Sequence, residues 1–109
     1  MKPNKIAVLG GGSWGTTTAS VISRNCETML WARNERIVAS INNERCNPLY
    51  LGNSELNPKL TATHRIEEAV RDAKAVLVAV PSSHFRQVLT RAVSIIAKSV
   101  PIISLSKGL

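Results

Sequence analysis

Aromatic side chains are scarce in this chain of 109 residues, which holds two Trp, one Tyr and one Phe. Cysteine is as scarce, with Cys26 and Cys46 alone, and neither has a second Cys or a His at ligand spacing. A disulfide framework and a cysteine-based metal site are thereby excluded. Long apolar runs are missing too. The longest, Ala75 to Pro81, is far too short to span a bilayer, and Met1-Lys2-Pro3-Asn4-Lys5 leads into a strand instead of a signal-peptide core. A soluble, cytoplasmic protein without membrane insertion is expected. Acidic residues are the minority, seven against fourteen Lys and Arg, for a formal net charge of +7. Such an excess suits nucleic acid only when it is clustered. Here Arg24, Arg33, Arg36, Arg45, Arg65, Arg71, Arg86 and Arg91 are scattered with no run of one sign, and few aromatics are present to stack bases. The expectation is no nucleic acid, and a basic surface that attracts phosphorylated small molecules. His64 and His84 stand apart from carboxylates and thiols and imply no metal.

What is present begins near the N-terminus. Lys5-Ile6-Ala7-Val8-Leu9, an apolar strand, empties into Gly10-Gly11-Gly12-Ser13-Trp14-Gly15. A Gly-x-Gly-x-x-Gly turn between a strand and a helix suits a dinucleotide pyrophosphate. Gly10 allows the tight turn, Gly12 leaves room for the phosphates, and Gly15 lets the helix pack close to the strand. Free N–H groups at the helix start then face the anion.

Further along, the pattern alternates. A helix is predicted from Ser13, or a neighbour acting as cap, to about Arg24, then a strand over Thr28-Met29-Leu30-Trp31. Asn34 caps a second helix with Ile37, Val38 and Ile41 as its apolar stripe, ending at Asn42-Asn43. Residues 46–59 read as loop. A strand over Leu60–Thr63, a helix over Ile66–Ala73 and a buried strand over Ala75–Val80 follow, with Pro81 as terminator. Ser82 or Ser83 caps a helix whose stripe is Phe85, Val88, Leu89, Ala92, Val93 and Ile96. Pro101 to Leu105 is the last strand. Strands alternating with helices predict an α/β fold, a doubly wound parallel sheet of the Rossmann type.

Ligands of such sheets bind beyond the carboxyl ends of the strands. That selects the glycine loop, Arg33, Pro81-Ser82-Ser83 and Ser106-Lys107-Gly108. A carboxylate after the second strand would take the ribose hydroxyls of NAD. Trp31-Ala32-Arg33-Asn34 offers a guanidinium instead, which suits a 2′-phosphate and favours NADP(H). Glu35, close by, keeps NAD(H) open. Lys107 is either an ammonium for a substrate or cofactor oxyanion or a snorkelling surface lysine.

Together these residues resemble the N-terminal part of the bacterial NAD(P)-dependent glycerol-3-phosphate dehydrogenases. The likeness is carried by Val8-Leu9-Gly10 with Gly12-Ser13-Trp14-Gly15-Thr16, Leu30-Trp31-Ala32-Arg33-Asn34, Asn47-Pro48-x-Tyr50-Leu51, Val78-Ala79-Val80-Pro81-Ser82 and Ser104-Leu105-Ser106-Lys107-Gly108. It implies reduction of dihydroxyacetone phosphate to sn-glycerol 3-phosphate, a phospholipid precursor, by hydride transfer from NADPH or NADH. By the resemblance, Ser13, Trp14, Arg33 and Tyr50 contact the cofactor, Phe85 packs near the nicotinamide side, and Lys107 is shared between cofactor and substrate. Residues 1–109 then form the first part of the cofactor domain. The helical domain that carries the catalytic lysine in the family is absent from this sequence, so these residues alone are expected to turn over little substrate. A homodimer is expected of the complete enzyme. The alternative is a non-catalytic dinucleotide-binding sensor module.

Overall fold

A computed structural model describes residues 4–105 of the chain. It contains nine elements in strict alternation: β1 (Lys5–Leu9), α1 (Ser13–Ile22), β2 (Glu27–Trp31), α2 (Glu35–Glu44), β3 (Thr61–Thr63), α3 (Ile66–Val70), β4 (Ala75–Val78), α4 (Ser82–Val93) and β5 (Ile102–Ser104). The strands form one sheet in the order β3-β2-β1-β4-β5, and every neighbouring pair is parallel. The doubly wound architecture expected from the alternation is therefore present.

Side-chain alternation along the strands sends apolar groups to both faces. On one face Val8 and Leu30 pack with Ala19 of α1 and Ile37 and Ile41 of α2. On the other, Ala7, Leu9, Val76 and Val78 pack with Ile66, Ala69 and Val70 of α3 and Val88 and Ala92 of α4. β1 is central, and Ala7, Val8 and Leu9 are fully buried. β5 is an edge strand, and its three residues are exposed.

α1 begins at Ser13 with its neighbour Gly12 in the cap position, one of the two expected arrangements, although Gly12 gives no side-chain cap. Several other boundaries differ from expectation. α4 starts after Pro81, also without a side-chain cap, and the Ser83 hydroxyl lies 3.1 Å from Nδ1 of His84. α3 stops at Val70 rather than Ala73, and Asp72 takes a left-handed φ of 60°. β4 ends at Val78 rather than Val80, because its neighbour β1 turns away at Gly10; the Ala79 N–H still reaches the Leu9 carbonyl at 2.7 Å. Val93, expected on the buried stripe of α4, is 52% exposed, whereas Ile96 packs on the core from beyond the helix end. Asn34 does cap α2, its side chain accepting from the Arg36 N–H at 2.8 Å. No helix among the described residues is long and apolar enough to cross a membrane.

Candidate functional site

The chain runs outward from β1 to β3 and then returns to β4 on the other side of β1. Loops leaving the carboxyl ends of β1 and β4 therefore diverge in opposite directions. Crevices of open α/β sheets form at that switch point. Here a cleft of about 660 Å³ opens there. Its walls come from the glycine loop after β1, from Trp31 to Asn34 at the end of β2, from Ala79, Val80, Pro81 and His84 after β4, and from Leu105 after β5, with Tyr50 at the rim.

Backbone proximity shapes the first wall. Gly10 has a φ of 131°, and a Cβ on it would lie 2.5 Å from the Ala79 carbonyl oxygen. Side chains are thus excluded on conformational and steric grounds alike. A Cβ on Gly15 would run into the Gly10 carbonyl oxygen, which is how α1 approaches the strand end so closely. Gly12 is different. Nothing lies within 4 Å of where its Cβ would be, so the space above it is open and borders the uncapped start of α1. Such a place suits a pyrophosphate.

Two features of this wall were not legible in the motif. A Cβ on Gly11 would stand 2.6 Å from the Cβ of Ala32, so the glycine between the motif positions is required by the end of β2. Asn47 is fully buried and donates from Nδ2 to the Gly11 carbonyl and to the Thr16 hydroxyl, both at 2.9 Å. Its backbone carbonyl accepts from the N–H groups of Tyr50 and Leu51 at 3.2 and 2.8 Å. One buried amide therefore ties the turn carrying Tyr50 to the glycine loop. Its Oδ1 is buried without a partner among the described residues. The long sequence separation hides this link, and the only signal was the Asn47-Pro48-x-Tyr50-Leu51 block.

The remaining expected residues fall as follows. Ser13, Trp14, Arg33 and Tyr50 all line the cleft. Trp14 and Tyr50 are each 56% exposed, an unusual position for large aromatics unless something stacks on them. Trp31 also lines the cleft, anchored by a 2.9 Å bond from Nε1 to the His64 carbonyl. Arg33 is exposed, and Glu35 is not among the lining residues. Phe85 is partly buried against the core below α4, and His84 lines the cleft next to it. Lys107 lies outside the described residues, as does the rest of Ser106-Lys107-Gly108.

An open cradle over Gly12, an uncapped helix start and exposed aromatics around one cleft fit a dinucleotide. Comparison with known families agrees with a nicotinamide dinucleotide site. Residues 5–109 match the model for the NAD-dependent glycerol-3-phosphate dehydrogenase N-terminus. The chain belongs to this family. It is 49% identical over 105 residues to glycerol-3-phosphate dehydrogenase [NAD(P)+] 2 of Sphingopyxis alaskensis, covering 96% of this chain and 32% of that protein. The Mycobacterium avium glycerol-3-phosphate dehydrogenase [NAD(P)+] is 44% identical over 110 residues, covering all of this chain and 32% of the relative. Among solved structures, the Coxiella burnetii glycerol-3-phosphate dehydrogenase superposes with a TM-score of 0.89 at 32% identity, over 98% of this chain and 33% of that one. The Saccharomyces cerevisiae enzyme superposes with a TM-score of 0.90 at 26% identity, over 98% of this chain and 34% of that one. The chain thus spans about a third of the length of these relatives.

Proposed function

We propose that this chain is the first part of the cofactor-binding domain of a cytoplasmic, homodimeric dehydrogenase that reduces dihydroxyacetone phosphate to sn-glycerol 3-phosphate, with NADPH preferred over NADH. The observation that carries the reading is the cleft at the β1/β4 switch point with Arg33, and no carboxylate, among its lining residues. The relatives named above are described as NAD(P)+ enzymes. When bound, the dihydronicotinamide supplies the hydride.

This chain's own residues bind and orient. The Gly12 cradle and the start of α1 hold the pyrophosphate, because oriented N–H groups and the helix dipole favour an anion there. Trp14 and Tyr50 flank the ligand and exclude water from one side. The Arg33 guanidinium forms a forked pair with the adenosine 2′-phosphate, a geometry that a carboxylate at the end of β2 would repel. Lys107 is assigned by the resemblance to hold an oxyanion shared by cofactor and substrate. The proton donor to the ketone oxygen and the ligands of the substrate phosphate are assigned to the two thirds of the family's length that this chain does not span.

Titration of the chain with both cofactors tests the cofactor choice. Arg33→Ala should weaken NADPH binding by roughly tenfold or more, the worth of a charge-assisted contact, and NADH binding far less. Equal losses would sink the NADP assignment. For the reaction, the chain joined to the remaining two thirds of the Sphingopyxis relative should oxidise NADPH when dihydroxyacetone phosphate is added, and Lys107→Ala should cripple that turnover. Cofactor binding without turnover in this chimera would favour the sensor reading.

A further inference from the structure

A second cleft, about 780 Å³, lies beside the first and shares Arg33 and Val88 with it. Its other lining residues all belong to α4, where Ser83, Gln87 and Thr90 follow one another at helical spacing beside Arg86 and Arg91. Among the described residues no carboxylate lines it. Arg91 is tied to Glu67 at 3.5 Å, whereas neither Arg33 nor Arg86 has an ion-pair partner among the described residues.

Two uncompensated guanidiniums bordering one cleft repel each other, and a dianion between them converts that repulsion into two attractions. A ligand in the dinucleotide cleft lies beside this place, since the two clefts share Arg33 and Val88. We propose that Arg86 of α4 is a second phosphate ligand, closing with Arg33 on the adenosine 2′-phosphate of NADP(H) and thereby sharing in cofactor selection. The assignment rests on the NADP reading above and deepens it. It places selectivity on two elements from opposite halves of the sheet, the β2 end and α4.

Quenching of Trp14 and Trp31 fluorescence, with NADPH, NADH, adenosine 2′,5′-bisphosphate and 5′-AMP as probes, tests this on the chain. Arg86→Ala should weaken NADPH and the bisphosphate by roughly tenfold, the worth of one charged hydrogen bond. NADH and 5′-AMP should change by less than about twofold, since neither carries the phosphate in question. Arg86→Gln, which keeps more of the side chain's bulk, should behave as the alanine variant does, and Arg86→Lys should recover part of the loss. If Arg33→Ala is selective for NADPH while the Arg86 variants affect all four probes equally, or none, the Arg86 assignment is overturned and the NADP reading stands. If the unmodified chain binds NADPH and NADH equally and Arg33→Ala does not discriminate, the NADP reading falls and the Arg86 assignment falls with it.

Discussion

Along the β1–α1 wall of the cleft, backbone meets backbone. Gly10 abuts the Ala79 carbonyl, Gly15 abuts Gly10, Gly11 abuts Ala32, and the fully buried Asn47 bolts the loop from behind. Along the α4 wall, exposed side chains stand on an uncapped helix, with Arg86 exposed and lining the same cleft as Arg33. At Gly10, Gly11 and Gly15 the first wall has no slack, so a change there is expected to cost folding before it costs binding; Gly12 is its one open glycine. The exposed side chains of the second have slack, so a change at one of them is expected to alter which ligand is preferred while leaving the fold intact. Shape is thus set by sterics on one side and charge is presented on the other.

The sharpest way to break this contrast is at Gly10. Gly10→Val combines a forbidden φ with a clash against rigid backbone, and should destabilise the chain by about 2–6 kcal/mol in urea unfolding. A fully folded Gly10→Val protein would remove the steric account. Next in size is Asn47→Ala, which deletes both buried bonds and should cost about 1–3 kcal/mol. Because Tyr50 is held by the same residue, cofactor affinity should fall as well, and retained affinity would show that the Tyr50 turn holds itself.

Gly12→Ala separates binding from folding within the first wall. Space is open at that position, so stability should move by less than about 1 kcal/mol, while NADPH and NADH affinities fall together because both carry the pyrophosphate. A loss for one cofactor alone would mean that the phosphates lie elsewhere. The smallest effect is electrostatic and concerns the α3–α4 contact. Hydrogen bonding to its own backbone N–H, helped by the charges of Arg91 and Arg65, holds the Glu67 carboxyl below the usual glutamate range against the opposing effect of desolvation. A depressed folded-state value means that its contribution is complete above the ordinary glutamate range and disappears as pH falls through the lowered value. Glu67→Gln should therefore flatten the acid limb of a stability–pH curve slightly and leave neutral stability almost unchanged, since the group is exposed and the Arg91 pair is screened.

These contrasts also mark what the sequence can disclose. β1, the glycine turn and the Asn34 cap are local, written within a few consecutive residues, and all were readable. The parallel order followed from alternation alone. Gly11 and Asn47 owe their roles to partners that the fold brings close, namely Ala32 and Thr16. No local pattern announces such a partner. Strand β4 was overestimated because Ala79 and Val80 remain apolar after the ladder has ended, serving the cleft rather than the sheet. At α4 the serine cap failed because Pro81 occupies the cap position; at α1 the neighbour of Ser13, Gly12, takes it, and both helix starts are left without a side-chain cap.

In the proposed complex a nicotinamide dinucleotide lies across the switch-point cleft with its pyrophosphate over Gly12. An amide chemical-shift titration of the isotope-labelled chain with NADPH tests it residue by residue. Saturable shifts should concentrate on Gly10 to Gly15, on Ala32 to Asn34 and around His84, leaving β5 nearly still. Shifts that gather elsewhere, or no saturable change in the glycine loop, would contradict the account.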